Sequence, residues 1–379
     1  MKPKIRFKGF EGEWKAEELS HICSVNRGVR VTRNDLHNNG VYPVYQNTDY
    51  PMGYYTKFNV ESNNPFVIVG GSAGLIGFCH TNFWAADDCV FFGDNPIINK
   101  SFLYNNLIFH KTEIKRNVRG ASVPRLDRET LRKLPVSIPS LPEQQAIASY
   151  FTTLDSQISA STSRLTSLKQ MKAASLQAMF PQEGETVPKI RFKGFEGEWK
   201  KVKADSIFKT FNEKNRPDLP VLSATQDRGM VTRESIGYNI FHDTSNEATY
   251  KHILPGQFVI HLRSFQGGFA HSEIEGIASP AYTIMDFKNK DLYHDYYWRY
   301  VFMSKEFIKR LELITYGIRD GRSISYDEFK EMSFLVPSKE EQIKIASYLK
   351  NLDRQISLQS QRLEKLKQIK SACLDKMFV

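Results

Sequence analysis

Two stretches of the 379-residue chain carry apolar residues at alternating steps of four and three. In the first these are Ile147, Phe151, Leu154, Ile158, Leu165, Leu168 and Met179. In the second they are Ile345, Leu349, Leu352, Ile356, Leu363, Leu366 and Met377. A stripe this narrow is the a/d seam of a coiled coil and not the broad face of a helix lying on a globular core. The seam is interrupted at matching places, Ser161/Gln359, Lys172/Lys370 and Ser175/Cys373. Matching interruptions predict two helices packed on each other in a fixed register; the alternative is two amphipathic helices, each lying on its own domain. Pro139 and Pro337 stop what precedes, and Glu143, Glu340 and Glu341 suit the positive end of a helix dipole. At 1.5 Å per residue such a helix would be about 55 Å long.

The blocks that precede these helices have a different pattern. Short apolar runs cut by glycine, at 66–71, 75–80 and 89–93, and again at 257–262 and 281–287, predict strands. Residues 293–314 predict one helix. Asp127 and Ser325 are candidate N-caps of short helices, the latter opening a capping box with Glu328.

An internal repeat orders the whole chain. PKIRFKGFEGEWK runs from Pro3 to Lys15 and returns unchanged from Pro188 to Lys200. The helical stretch Pro139 to Phe180 aligns without a gap on Pro337 to Phe378, sharing Glu143/Glu341, Gln144/Gln342, Tyr150/Tyr348 and Asp155/Asp353. The material between leader and helix is unrelated in the two halves. The predicted fold is α+β with two globular domains, 1–138 and 182–336. Two long helices at 139–181 and 337–379 join them as an antiparallel coiled coil with a pseudo-two-fold internal repeat.

Composition narrows the class. With 26 Phe, 17 Tyr and 4 Trp the blocks can fill cores, which argues against global disorder. No apolar run is long enough to span a membrane, and the basic start of the chain lacks a signal-peptide core. Cys23, Cys79, Cys89 and Cys373 form no C-x-x-C pair, so reduced thiols in the cytoplasm are expected. The net charge of +10 favours a polyanionic partner. Residues 1–138 hold 18 Lys+Arg against 13 Asp+Glu, but 182–336 hold 22 of each. The second block must therefore present a local basic patch.

Catalytic motifs are not supported. Gly70-Gly71-Ser72-Ala73-Gly74 fits the G-x-S-x-G elbow, but a strand-like run follows where the elbow needs a helix, so it is expected to be a tight turn. Asn63-Asn64-Pro65-Phe66 lacks the tandem proline of adenine methyltransferases and is expected to be a turn. The histidines show no zinc spacing, and Asp87-Asp88 is expected to be a surface turn. No catalytic residue and no metal ligand is assigned.

Basic residues cluster in glycine-rich loops near aromatics: Arg27, Arg30 and Arg33; Lys115, Arg116 and Arg119; Lys214 and Arg216; Arg319 and Arg322. They are candidates for phosphate contact, with a solvated face as the alternative for any one cluster. Arg is suited to guanine, and Asn or Gln to adenine, which singles out Gln46, Asn47, Gln226, Arg228, Arg263 and Gln266 as candidate base readers.

The order of leader ending in Trp, variable block and proline-then-Glu-Gln helix, repeated once, resembles the specificity subunit of type I restriction–modification systems. EQxxIASYxxxLDxQIS stands in both helices, and VLSATQ and ASPAYTIM of the second block are similar to segments of such recognition domains. Lys339-Glu340 departs from the Leu141-Pro142 of the first copy. The resemblance implies that each variable block is a target-recognition domain reading half of a bipartite, asymmetric site on double-stranded DNA. It implies helices that act as a ruler. Half-site centres would lie roughly one duplex turn apart, ~34 Å. It further implies a non-catalytic chain that docks two modification (methyltransferase) subunits and restriction (translocase/nuclease) subunits, with S-adenosylmethionine, ATP and Mg bound by those partners. The alternatives are an unrecognised nuclease or methyltransferase centre in a variable block, and a scaffold whose blocks bind protein.

Overall fold

Each long helix contributes to two units in the computed structural model. The first unit is Met1–Ser163 with Gln361–Val379, and the second is Arg164–Ser360. The structure describes residues 1–36, 39–225, 228–236, 244–261, 268–315 and 324–379, with the side chains of 244–246 and 312–315 left aside.

In the first unit the chain runs β1 (Lys15–Glu18), α1 (Leu19–Ile22), β2 (Val25–Arg27), β3 (Tyr42–Tyr45), β4 (Gly53–Tyr55), β5 (Asn64–Ile68), β6 (Ile76–Cys79), β7 (Trp84–Ala85) and β8 (Cys89–Phe92). There follow α2 (Lys100–Phe109), α3 (Lys111–Arg116), α4 (Arg128–Arg132), β9 (Pro135–Ile138) and α5 (Leu141–Ala178). An antiparallel sheet of order β2-β8-β5-β6 packs on α2, β3 lies between β4 and β7, and β9 returns to pair with β1.

The second unit repeats this plan with other residues. Its elements are β10 (Lys200–Lys203), α6 (Ala204–Ile207), β11 (Phe208–Phe211), β12 (Leu222–Thr225), β13 (Gly229–Thr232), β14 (Lys251–Ile253), β15 (Phe258–Ile260), β16 (Phe269–His271), β17 (Gly276–Ala278) and β18 (Thr283–Phe287). Then come α7 (Asp295–Met303), α8 (Lys305–Thr315), α9 (Tyr326–Lys330), β19 (Ser333–Val336) and α10 (Lys339–Met377). The sheet order β11-β18-β15-β16 matches that of the first unit, and β10 pairs with β19 as β1 does with β9.

The identical leaders are explained by what they touch. In the first unit the Arg6 guanidinium donates Nε and Nη2 to the two oxygens of Glu143, each at 2.7 Å, and Nη1 to the Gly12 carbonyl. In the second, Arg191 grips Glu341 at 2.7 and 2.8 Å and Gly197 at 2.6 Å. Both carboxylates are about 1% exposed. Glu143 and Glu341 thus do more than complement the helix dipole: each is a buried charge held by a two-pronged ion pair. Trp14 closes on Phe102 and Phe378, and Trp199 closes on Phe180 and Tyr297. The next helical residue ties the block down. Gln144 accepts the Asn99 N–H and donates to Ile97, while Gln342 accepts the His294 N–H and donates to Leu292.

The apolar seam positions of α5 and α10 are all buried or half-buried. Within the first unit the early turns of α5 meet the late turns of α10; within the second the late turns of α5 meet the early turns of α10, so the helices run antiparallel. Two of the three interruptions form reciprocal polar contacts. Lys370 pairs with Asp155 in one unit and Lys172 with Asp353 in the other, both at 2.5 Å. Tyr150 meets Cys373 at 3.5 Å, and Tyr348 meets Ser175 at 3.3 Å.

Four local expectations change. The 293–314 helix is two helices, because Ser304 is extended and turns its hydroxyl to Val301 while its Oγ accepts the Phe307 N–H. Asn63 is a turn residue at φ 57°, but strand begins at Asn64, whose side chain bonds the Phe92 carbonyl. Phe66–Gly71 is strand only as far as Ile68. Ser325 caps the Asp327 N–H, two residues on.

Replacing Arg191 by Ala leaves the Glu341 carboxylate buried without its partner, which is expected to cost about 3–5 kcal/mol. Arg191→Lys keeps the charge but loses the fork, and should fall between wild type and Arg191→Ala. Urea unfolding of the full chain checks the order, and Arg6 should follow the same order in the first unit.

Candidate nucleic-acid interface

At one end of the first unit, the connections that leave β2, β3, β5 and β7 converge on the turn Asp87–Asp88. Arg27 Nε donates to the Asp87 carbonyl at 2.7 Å, and Gln46 makes a long 3.5 Å contact with the Asp87 carboxylate. Asn47 accepts the Ser72 N–H through its carbonyl at 3.0 Å. Asp88 takes Arg125 at 2.9 Å and lies so close to Gly70 that a Cβ there would stand 2.4 Å from the carboxylate. Arg119 and Arg125 exchange main-chain bonds of 2.8 and 2.7 Å, which draws the segment after α3 onto the same turn. Gly74, at φ 82°, packs beside Lys115. Gly70 to Gly74 is therefore a tight turn between antiparallel strands and not a nucleophile elbow.

The Asp87–Asp88 turn gathers two arginines about a hundred residues apart in sequence, Arg27 through the Asp87 carbonyl and Arg125 through the Asp88 carboxylate. Arg30, Arg33, Lys115 and Arg116 are exposed and have no charge partner among the described residues. Exposed cations on the connections of this unit, together with the amides Gln46 and Asn47, suit an anionic backbone with polar edges. Arg125 belongs to this end and was not among the sequence candidates. Arg125 was hidden because its partner Asp88 is 37 residues away.

By order along the chain, several candidates of the second block fall on connections that correspond to those of the first. Lys214 and Arg216 follow β11 as Arg30 and Arg33 follow β2. Gln226 and Arg228 lie between β12 and β13 as Gln46 and Asn47 lie between β3 and β4. Arg263 and Gln266 lie in sequence between β15 and β16, and Arg319 and Arg322 after α8; these four and Gln226 fall outside the described residues. Lys214 and Arg228 are exposed. Burial and then the nearby Lys214 charge lower the pKa of Lys251.

Arg216 has a different position electrostatically. It forms a two-pronged pair with Asp218, at 3.0 and 2.9 Å, and approaches Glu275 at 3.6 Å. The hydrogen bond from Arg216 holds the Asp218 carboxyl below the usual carboxylate range. Glu275 also bonds the buried His252 at 2.8 Å, and Glu213 reaches its other ring nitrogen at 3.4 Å. Arg216 is thus positioned to fasten the loop that presents Lys214. Its charge is already largely answered within the chain.

Among the described residues no cluster of His, Cys, Asp or Glu is arranged to hold a metal ion, and no helix is long and apolar enough to cross a membrane.

Known proteins are similar to the chain both in sequence and in fold. The type I restriction enzyme EcoDI specificity subunit of Escherichia coli is 23% identical over 55% of this chain, which spans about half (46%) of that protein. The MjaVIII specificity subunit of Methanocaldococcus jannaschii is 22% identical over 96% of this chain and 91% of its own length. The crystal structure of a type I restriction–modification S subunit from M. genitalium shares the fold, with a TM-score of 0.71 at 17% identity over 100% of this chain and 99% of that one. The family model for the type I restriction modification DNA specificity domain matches residues 11–170 and again 196–368. Both leader–block–helix units carry that match, and the chain belongs to the family of type I restriction–modification DNA specificity proteins.

Proposed function

We propose that the chain is the non-catalytic DNA-reading subunit of a type I restriction–modification complex, and that each unit reads one part of a bipartite target on double-stranded DNA. The observation that carries this reading is one frame around two different blocks. Two blocks of unrelated sequence are held by the same leader and helix on sheets of the same strand order, and in both, exposed basic residues follow the first strand of that sheet, Arg30 and Arg33 after β2 and Lys214 after β11. A frame kept constant around loops that differ is what two readers of different base sequences require. Because the loops differ, the two half-sites are not inverted copies.

The candidate contacts are Arg27, Arg30, Arg33, Gln46, Asn47, Lys115, Arg116 and Arg119 in the first reader. In the second they are Lys214, Gln226, Arg228, Arg263, Gln266, Arg319 and Arg322, with Arg216 in a supporting place. The target-recognition domains comprise 1–138 and 182–336, and the helices at 139–181 and 337–379 set the distance between them. Two modification subunits and the restriction subunits dock on this chain in the cytoplasm and bring S-adenosylmethionine, ATP and Mg with them.

Selection from random duplex DNA by the chain with its modification subunit, at stated salt, should return one interrupted, asymmetric motif. A symmetric motif, or none from an intact complex, would refute the reading. Lys115→Ala with Arg116→Ala should weaken binding to all sequences alike and flatten the slope of log K against log salt by about 0.9 for each phosphate no longer neutralised. Asn47→Ala should relax one half-site by about 1–3 kcal/mol per base and leave the other unchanged, as read from binding to single-base variants of the motif.

A further inference from the structure

The two units differ at one place in a way that exposes a second site. In the first unit a cavity of about 660 Å³ opens between β6, α2 and the early turns of α5. Its wall is the ring pair Phe78 and Tyr104, with centroids 5.3 Å apart, and its lining includes Ser101, Asn105, Thr152 and Asp155. The volume lies within the range of small-molecule sites.

Anchoring by Gln144 and Gln342 brings the helices α2 and α7 into common register, since Asn99 and His294 each donate a main-chain N–H to that glutamine. Counting from those anchors sets Ser101, Tyr104 and Asn105 opposite Tyr296, Arg299 and Tyr300. The gapless helical repeat sets Thr152 and Asp155 opposite Lys350 and Asp353. The second unit fills this space with its own side chains. Tyr300 is fully buried and donates its hydroxyl to Asp353 Oδ2 at 2.7 Å, while Lys172 holds Oδ1 at 2.5 Å. Lys350 lies over the Tyr296 ring, 3.6 Å from its centroid.

In the first unit every one of the filling groups is shortened except at Tyr104. Lys370 holds Asp155 Oδ1 at 2.5 Å, as Lys172 holds Asp353, but Oδ2 has no partner among the described residues. Asn105, 2% exposed, donates to the Ser101 carbonyl, and its Oδ1 is buried without a partner among the described residues. Asp155 keeps 41% of its side-chain exposure, so its Oδ2 is open to the cavity, and an open acceptor beside an aromatic wall suits a ring that carries a donor.

We infer that the cavity bounded by Phe78, Tyr104, Asn105 and Asp155 binds a phenol-type group from outside the chain, seated where Tyr300 seats its own ring in the second unit. The ring lies against Phe78 and Tyr104, and its hydroxyl donates to Asp155. Two sources share this chemistry, a free small aromatic and a tyrosine side chain of a docked subunit. The site faces α5 and α2, away from the Asp87–Asp88 turn, so it stands independently of the DNA reading.

The probe is p-cresol, followed by saturation-transfer NMR on the full chain, with toluene as the control that lacks a donor. Wild type should bind p-cresol in preference to toluene. Asn105→Tyr should abolish that signal by supplying the missing ring, and should raise the unfolding midpoint by restoring a hydroxyl to Asp155. Ser101→Tyr, which introduces the counterpart of Tyr296, should also abolish it and stands in if Asn105→Tyr does not fold. No saturation transfer in wild type, or transfer undiminished in a folded variant, overturns the proposal. Given binding to the free chain, repetition on the chain assembled with its modification subunit identifies the source. Retained binding points to a free aromatic, and its disappearance points to a tyrosine of the partner.

Discussion

A carboxylate with about 1% exposure needs a complete set of partners, and in this chain the set comes from the leader. Desolvating Glu143 or Glu341 is unfavourable unless a guanidinium meets both oxygens, and Arg6 or Arg191 does so while its third nitrogen holds a leader carbonyl. The leader is thereby locked onto the first turn of the helix that follows its own block. That lock brings Trp14 or Trp199 against the aromatic end of the other long helix, and it sets β1 or β10 beside the strand that closes the block. The Gln next in sequence then fixes where the block's own helix starts. Sheet, loops and reader face all take their position from this corner.

The logic separates two kinds of position. Residues that meet the leader or the seam have to satisfy buried partners, and they recur in both halves. Residues on the connections around Asp87–Asp88 answer to one another and to solvent, so they are free to differ. Arg216 shows how the second kind can be misjudged from composition: a basic residue in a turn-rich loop is mostly neutralised by Asp218 and Glu275, whereas Lys214 two residues earlier has no charge partner among the described residues.

The helices and their mutual packing were legible in the sequence, because a seam with period near 3.5 and shared interruptions has few other meanings, whereas their antiparallel direction came from the repeat and the resemblance. The reason for the identical leaders was not. A pair such as Arg6 and Glu143 lies 137 residues apart, and the helix-dipole argument offered a sufficient local explanation for the Glu. The strands expected at 66–71, 75–80, 89–93, 257–262 and 281–287 are present, but others such as β3 and β12 were not read, and limits shifted, since Asn64 and Pro65 enter β5 against local propensity, the first because its amide is bonded across the sheet. The break at Ser304 was missed because the apolar pattern continues through it. For the proposed reader face, chain position alone suggested which connections to consider, but the convergence on Asp87–Asp88 and the place of Arg125 depend on tertiary contacts.

Unit composition also orders events during synthesis. The second unit is one unbroken length of chain, residues 164–360, and all its parts have been made once α10 is halfway formed. The first unit starts earlier but waits for residues 361–379, which bring Phe378 to Trp14 and Phe102 and Lys370 to Asp155. As the chain emerges from the ribosome, the reader begun first is therefore the one completed last, with the apolar seam of early α5 uncovered in the interval. An apolar stripe left open in that interval is the kind of surface on which chaperones or an early-binding partner act.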